Sequence, residues 1–236
     1  MKFNFAGALL LLLLIHGQQA VIWSKPEAPP PSCKSIECPI YDIIEESDSY
    51  EIRRYNHTVW MSTSSIRNIS FVDATRTGFL RLFDYIQGQN EKHAKVPMTA
   101  PVLTEIFPSS GPFCESSFIV SFYVPASFQK SPPKAKKSLA LEESRWGVRF
   151  AAVRRFGGFV SDYNVGEEAA KLQASLMGTR WETAIAKSKS DESSLYTVAQ
   201  YNSPFEFESR VNEIWMPFSN PNLASNVKIR ELRWYM

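Results

Sequence analysis

The sequence predicts an α+β protein, an antiparallel sheet that curls toward a barrel with two helices packed outside it. About eight short segments are rich in β-branched and aromatic residues, and two longer segments have amphipathic helical periodicity. The order of these segments repeats, since each half of the chain contains two strands, a helix and two further strands. Because neither half looks complete alone, we expect one domain of two pseudo-repeats. The clearest strand segments are residues 50–55, 58–63, 100–107, 117–124, 148–154, 196–201 and 211–216.

The first predicted helix starts at Ser70 and stops at Gly88. Ser70 and Asp73, three residues apart, together resemble a capping box. At helical spacing, one face of this helix carries bulky apolar side chains and one arginine. The members of this face are Val72, Arg76, Phe79, Phe83 and Ile86.

The second predicted helix has Asn164 as its cap and ends at Gly178. Its apolar face is narrower and consists of Val165, Ala169, Leu172 and Leu176. Between the two helical segments, residues 127–144 contain several lysines around two prolines, which is typical of a solvated surface loop.

Composition excludes several classes of protein. Of the 236 residues, 44% are hydrophobic and 21% are charged, which is typical of a packed globular domain and not of a disordered chain. The 26 basic and 24 acidic residues are well mixed, so no electrostatic footprint for nucleic acid is present. No apolar run reaches the length needed to span a bilayer, so stable membrane insertion is not expected.

The N-terminus predicts entry into the secretory pathway. Lys2 precedes an uninterrupted apolar run at residues 5–15, and this pattern is typical of a signal peptide. Cleavage could follow Ala20 or Ser24, and the sequence does not decide between them. We therefore divide the chain into a signal peptide (1–24), a proline-rich linker (25–37), a folded domain (38–218) and a polar C-terminal tail (219–236). The expected location is extracellular or in an endomembrane lumen.

An oxidising compartment permits glycans and disulfides. Asn56 and Asn68 each begin an N-x-S/T triplet without proline and are the candidate glycosylation sites. The three cysteines, Cys33, Cys38 and Cys114, predict one disulfide and one free thiol, with the pairing left open.

Five short motifs connect this chain to a known family. They are YEIRRY at residues 50–55, FDYIQGQN at 83–90, KVPMTAPV at 95–102, SFYVP at 121–125 and NEIWM at 212–216. In content, order and spacing they resemble the SOUL haem-binding protein family over residues 38–218. This resemblance implies a distorted β-barrel of two similar halves with two helices outside, and binding of haem or a related tetrapyrrole. Overall, the chain looks most like the secreted, plant-type members.

A tetrapyrrole needs an apolar surface for its macrocycle and cations near its carboxylates. In the first helix, Phe79 and Phe83 lie four residues apart, and Arg76 lies on the same face. The resemblance implies that an arginine and two apolar residues of this helix contact the ligand, and these positions fall on Arg76, Phe79 and Phe83. The alternative is that Phe79 and Phe83 are core residues packed on the sheet.

No axial ligand for a haem iron is predicted, and no metal site. After signal removal, the histidines are His57 and His93, and both are expected on the surface. The position where some relatives place a histidine is Arg54 here, and a charged guanidinium does not ligate iron. Another position that the family makes basic is Glu206.

The motifs of hydrolases, metalloproteases, nucleotidases and dinucleotide-dependent enzymes are absent from the sequence, so we expect no catalysis and assign no catalytic residue. The predicted function is non-catalytic binding of haem or a related tetrapyrrole beside the first helix, as carrier, buffer or sensor. The alternative is a module on the same scaffold that binds an apolar small molecule or a protein and no haem.

Overall fold

The computed structural model describes residues 29–107, 115–189 and 194–219. Within these residues, the strands are β1 Tyr41–Glu46, β2 Glu51–Tyr55, β3 Val59–Thr63, β4 Ile66–Asn68, β5 Val102–Phe107, β6 Ser116–Tyr123, β7 Leu141–Arg145, β8 Arg149–Gly157, β9 Tyr196–Gln200 and β10 Val211–Phe218. The helices are α1 Phe71–Ile86, the single turn α2 Ala126–Gln129, α3 Asn164–Leu176 and α4 Arg180–Ser188. Two short 3-10 turns lie at Pro31–Lys34 and Lys137–Leu139.

All strands belong to one antiparallel sheet with the order β1-β2-β8-β10-β9-β5-β6-β3-β7, and β4 pairs with β6. Eight of these strands form two sets of four that correspond in chain order: β2 with β7, β3 with β8, β5 with β9 and β6 with β10. When each strand is replaced by its counterpart, the sheet order from β2 to β7 becomes the same order read backwards. This symmetry confirms the two predicted pseudo-repeats. The end strands β1 and β7 do not pair with each other in the described part of the chain, so the curled sheet is an open half-barrel.

The longer helices cover one face of the sheet, which we call the helix face. α1 packs on β3, β4 and β6, whereas α3 packs on β8 and β10 and α4 on β10. Alternate residues along each strand point to the opposite face. That face carries a second cluster of large buried rings, and we call it the aromatic face: Tyr55, Trp60, Tyr123, Trp146 and Trp215.

The start and end of α1 confirm the sequence prediction, but its buried face does not. Ser70 caps the helix by accepting a hydrogen bond from the Asp73 amide, and Gly88 follows the helix with φ +109°. The side turned to the sheet consists of Phe71, Ala74, Thr75, Gly78, Leu82, Tyr85 and Ile86. Of the predicted apolar face, only Ile86 is fully buried, because the face centred on Arg76 and Phe83 is rotated away from the sheet.

α3 follows its prediction closely, since Val165, Ala169, Leu172 and Leu176 are its buried residues. The cap differs by one position. Tyr163 occupies the cap position, and Asn164 is the first helical residue; its Oδ1 accepts a hydrogen bond from the Ser161 amide at 2.8 Å.

Several elements were not predicted. The sequence interpretation missed β1, β4, β7 and the helix α4. It also assigned residues 127–144 to a loop, which was wrong in part, because this segment contains most of α2, a 3-10 turn and the first residues of β7. β7 is a polar strand at the edge of the sheet, with the sequence LEESR, so it lacks the apolar alternation that identifies a strand.

The predicted disulfide joins Cys33 to Cys38. Both cysteines and Ile36 pack against the ring cluster of the aromatic face, so the bridge fixes the segment before β1 to the domain. Cys114, the signal peptide (1–24) and all of the predicted tail except Ser219 lie outside the described residues.

Candidate functional site

The predicted ligand residues lie together on the outer flank of α1. At about 100° per residue, Arg76, Phe79 and Phe83 fall within about 60° of one another around the helix axis. The rings of Phe79 and Phe83 are stacked, with centroids 5.8 Å apart and planes at 15°. Val72 and Leu80 extend this surface, which we call the α1 stripe.

The α1 stripe is exposed rather than buried in the core. Phe83 is 40% exposed and Leu80 is 53% exposed, and Arg76 is also at the surface. Phe79 is half-buried, and its ring meets Phe122 of β6 edge-to-face at 5.4 Å. The alternative, that Phe79 and Phe83 are core residues packed on the sheet, therefore holds in part for Phe79 and does not hold for Phe83.

Close packing beneath α1 fixes the orientation of the stripe. Gly78 faces Val120 of β6 so closely that an added Cβ would lie 2.4 Å from the valine Cγ2. One turn before Phe79, the hydroxyl of Thr75 lies 3.0 Å from that of Thr104 on β5. These contacts place the Phe79 flank toward β5. In the sheet, β5 and β9 lie between the strands covered by α1 and the strands covered by α3 and α4.

The N-terminus of α1 is tied to the segment that precedes α3. Ser70 Oγ donates to Asp162 Oδ2 at 2.9 Å, and the Val72 amide donates to Asp162 Oδ1 at 3.2 Å. A carboxylate at this end of a helix is favourable because it accepts from unpaired amides and faces the positive end of the helix dipole.

The α1 stripe has the groups that a porphyrin needs at its face and rim, but no axial ligand. Exposed stacked aromatics can lie against a flat macrocycle, and the guanidinium of Arg76 can form charge-assisted hydrogen bonds with a carboxylate. His57 and His93 are exposed turn residues with φ +47° and +49°. Arg54 is held by Asp42 at 2.7 Å. Within the described residues, no group of three or more His, Cys, Asp or Glu side chains is arranged to hold a metal ion.

The remaining predicted positions lie elsewhere on the surface. Asn56 is exposed, and its Nδ2 donates to Asp42 Oδ2 at 3.2 Å. Asn68 is partly exposed, and its Oδ1 accepts from the Ser70 amide just before α1. Glu206 is in the exposed loop between β9 and β10, where it accepts from Asn202.

The sequence interpretation missed a network of buried charges on the aromatic face. Arg53 donates two hydrogen bonds to Glu213, both at 2.9 Å, and one to Glu51 at 2.6 Å. Arg155 and the hydroxyl of Tyr201 also donate to Glu213. Arg53 and Glu213 are 1% and 0% exposed, so this network is part of the interior.

The network determines the protonation of its members. Burial raises the pKa of Glu213, but the charges of Arg53 and Arg155 and the hydrogen bonds from Arg53 and Trp215 together lower it more, so the pKa lies below its ordinary value. Burial and the nearby Glu213 carboxylate raise the pKa of Tyr201 well above its ordinary value. Glu213 is therefore ionised and Tyr201 neutral at pH 7.

Two of the five sequence motifs meet in this network. Arg53 and Tyr55 belong to the first motif, and Glu213 and Trp215 to the last. The rings of Tyr55 and Trp215 stack at 5.0 Å, and Trp215 donates to Glu213 at 2.8 Å. In a third motif, the buried Asn90 bonds the Tyr85 and Ala94 carbonyls and shapes the turn after α1. These motif residues thus contribute to the scaffold of the domain rather than to the α1 stripe.

Fold and site together define a duplicated α+β half-barrel with an exposed aromatic stripe on its first helix. The sequence matches the SOUL heme-binding protein family over residues 36–217. The chain therefore belongs to this family.

Three relatives illustrate the similarity. The chain is 35% identical to Heme-binding protein 2 of Homo sapiens over 199 residues, which cover 83% of this chain and 92% of that protein. It is 36% identical to the Mus musculus protein of the same name over 196 residues, covering 83% and 89%. It is 28% identical to Heme-binding protein 1 of Xenopus laevis over 172 residues, covering 73% and 85%. All three are named as binding proteins. Because they are animal proteins, the likeness to plant-type members stays a prediction.

None of the helices in the described residues is both long enough and apolar enough to cross a membrane.

Proposed function

We propose that this protein binds haem or a related tetrapyrrole on the α1 stripe, without catalysis, as a carrier, buffer or sensor. The observation that carries the proposal is the exposed, stacked pair Phe79 and Phe83 with Arg76 on the same flank. Family membership supports it, because the relatives are named for haem binding. The macrocycle rests on the two rings, and Arg76 binds a carboxylate of the ligand.

Binding in this proposal depends on the macrocycle and its carboxylates rather than on the iron. The α1 stripe presents two aromatic rings, two aliphatic side chains and an arginine, and none of these ligates iron. The iron would supply redox and ligand-exchange chemistry, whereas the protein supplies apolar contact and a cation. We therefore expect iron-free porphyrins to bind nearly as well as haemin.

A matched pair of arginines on α1 tests the proposal. Arg76→Ala should weaken haemin binding about tenfold or more, since a charge-assisted hydrogen bond contributes about 1.5–3 kcal/mol and about 1.4 kcal/mol is a factor of ten. The control is Arg81→Ala, because Arg81 lies about 140° around the helix from Arg76. Absorbance titration of the Soret band measures both affinities.

The outcomes of this experiment are distinct. If Arg76→Ala and Arg81→Ala both bind haemin like the parent, the α1 stripe is not the site. A loss confined to Arg81→Ala places the ligand on the other flank of the helix. His57→Ala and His93→Ala should leave the Soret position unchanged, because neither histidine is proposed to ligate the iron. If haemin leaves the spectrum of the parent unchanged, the module binds a different apolar molecule or a protein.

We also propose that the protein enters the secretory pathway through a signal peptide at residues 1–24 and is glycosylated at Asn56 or Asn68. The Cys33–Cys38 disulfide supports this, because such bonds persist in oxidising compartments. The exposed Asn56 and the partly exposed Asn68 are accessible to modification.

Expression in a eukaryotic secretory host tests this location. The mature product should begin between about residues 21 and 25, and enzymatic deglycosylation should lower its mass. Asn56→Gln and Asn68→Gln, made separately, identify the modified site. Alkylation should label one cysteine in the native protein, Cys114, and three after reduction. An intact Met1 on the mature protein, or three reactive thiols before reduction, would contradict the proposal.

A further inference from the structure

A free amide lies on the helix face of the sheet, beside the α1 stripe. Gln200 is the last residue of β9 and is half-buried. It pairs directly with Val102 of β5, and Val102 pairs with Phe122 of β6, whose ring meets Phe79. Residues that pair directly across neighbouring strands project to the same side of a sheet. The side chain of Gln200 therefore projects to the helix face, two strand spacings or about 10 Å from Phe122.

The hydrogen-bonding groups of this amide are unused. Within the described residues, the Gln200 side chain forms no hydrogen bond. Its neighbour in the sheet, Asn212 of β10, donates instead to the Gly158 carbonyl at 2.8 Å. Because Gln200 is only half-buried, its amide is accessible to a ligand from the helix face. A primary amide has both an N–H donor and a carbonyl acceptor, so it is best satisfied by a group that also offers both.

The ligand surface of α1 has Arg76 on one side and Gln200 on the other. Around the helix, Phe79 lies about 60° from Arg76, on the side turned toward the sheet. Beyond the Phe79 ring come Phe122 and then, across β5, Gln200. A flat ligand on Phe79 and Phe83 thus has one edge at the exposed Arg76 and the opposite edge directed toward Gln200.

The charges near these two residues differ in sign. Arg76 is exposed and forms no ion pair in the part of the chain that the structure describes. In the loop after β9, Asn202 donates to the Glu206 carboxylate at 2.8 Å, two residues beyond Gln200. Arg210 of the same loop is bound to backbone carbonyls of that loop. The carboxylates of a tetrapyrrole are therefore attracted to Arg76, and the edge near Gln200 favours a neutral group.

We propose, resting on the tetrapyrrole function proposed above, that the preferred ligand of the α1 stripe is an open-chain tetrapyrrole without iron, a bilin. A bilin has two carboxylates on its middle rings and a lactam on each end ring, so these groups occupy opposite edges. The lactam places an N–H donor beside a carbonyl acceptor, which is the complement of the Gln200 amide.

A closed porphyrin with two carboxylates does not match both edges. Its carboxylates can meet Arg76, but the opposite edge has only hydrocarbon substituents, so the Gln200 amide stays unpaired. The side chains of the α1 stripe do not ligate iron, and a bilin needs no iron ligand. The two edges of the site therefore fit a bilin better than haem.

Biliverdin is the probe, titrated into the purified protein by absorbance. Iron-free mesoporphyrin IX is the matched control, because it has the same two carboxylates and no lactam. We expect biliverdin to bind about tenfold more tightly, which is the effect of two neutral hydrogen bonds. Arg76→Ala should weaken the binding of both ligands by the same factor, because both place their carboxylates at the arginine.

A pair of glutamine variants locates the preference. Gln200→Met keeps the length of the side chain and removes its donor and acceptor. Biliverdin affinity should therefore fall about tenfold, whereas mesoporphyrin affinity should stay within about twofold of the parent. Gln173→Met is the control, since Gln173 is exposed on α3, and it should change neither affinity.

The results distinguish this inference from the proposed function. If mesoporphyrin binds in an Arg76-dependent way and biliverdin binds no more tightly, the function stands and the bilin preference is wrong. Parental biliverdin affinity in Gln200→Met, shown to be folded by thermal melting, also overturns the inference. If neither ligand binds the parent, the proposed function fails and the inference fails with it. If Gln200→Met does not fold, the comparison of the two ligands in the parent still decides.

Discussion

Leu82 and Phe83 are neighbours in the sequence with opposite environments. Leu82 is fully buried in the core beneath α1, whereas Phe83 is 40% exposed and stacks on Phe79. Because the helix turns about 100° per residue, adjacent positions face in different directions. Substitution of Leu82 therefore tests core packing, and substitution of the neighbouring Phe83 tests contact with the ligand.

We predict that Phe83→Ala changes the free energy of unfolding by less than about 1 kcal/mol, because its ring is largely outside the core. The same variant should weaken haemin binding about three- to eightfold, since the ligand can bury only the 40% of the Phe83 side chain that is exposed, which contributes about 0.6–1.2 kcal/mol. Leu82→Ala is the control and should lose about 2–5 kcal/mol of stability. Urea denaturation and Soret titration measure the two effects. A folded Phe83→Ala protein with parental affinity would exclude Phe83 from the site.

The sequence placed Arg76, Phe79 and Phe83 together on one helix face, and the structure agrees. It could not show that this face is exposed, because the residues that α1 turns toward the sheet include Ala74, Thr75 and Gly78. Small residues give a weak hydrophobic signal and are buried by close packing. The Arg53–Glu213 pair had no local signal at all, since its members are separated by 160 positions and meet only through strand pairing.

At the scale of elements, the contact between α1 and β6 depends on Gly78, because no side-chain atom fits between the helix and Val120. We predict that Gly78→Ala destabilises the protein by about 1–3 kcal/mol through overpacking. Gly166→Ala in α3 is the matched control: nothing lies within 4 Å of its added Cβ, so it should stabilise by about 0.5–1 kcal/mol. Equal effects of the two substitutions on the urea midpoint would show that α1 does not need this close approach.

The elements predicted from sequence are those buried on at least one face. β5, β6, β8 and β10 each contain several buried apolar residues, so their segments were recognised. The edge strands β1 and β7 contain no fully buried residue, and their pairing comes from the neighbouring strand rather than from their own side chains. α4 did have a local signal, because Thr179 caps it by accepting from the Glu182 amide, which is a T-x-x-E capping box.

At the scale of the whole molecule, the buried charges connect the two halves. Arg53 comes from β2 in the first half, and its partner Glu213 comes from β10 in the second. The two strands are separated in the sheet by β8, which contributes Arg155 to the same carboxylate. An ion pair in this position is costly to break, because removing one partner leaves the other charge buried without compensation.

This arrangement makes the protein sensitive to acid. Burial alone would raise the pKa of Glu213, but Arg53 and Arg155 lower it below the ordinary value of 4.5, so folding favours the ionised form. Its contribution to stability is present in full above the unfolded pKa and is lost as the pH falls through the folded one. Glu168 acts in the same direction, since burial raises its pKa but the hydrogen bonds and the charges of Lys171 and Arg154 together lower it more.

We therefore predict that the free energy of unfolding, measured by urea denaturation, is nearly constant from about pH 7 to pH 5.5 and falls below about pH 4.5. Glu213→Gln should cost about 3–5 kcal/mol at neutral pH, because Arg53 stays buried with Glu51 as its remaining carboxylate partner. It should also flatten the acid limb, since the variant has no charge to lose at this position. Glu167→Gln is the control: this carboxylate is 68% exposed, so its loss should leave the pH profile unchanged. An acid limb equally steep in Glu213→Gln and in the parent would show that other carboxylates control the acid transition.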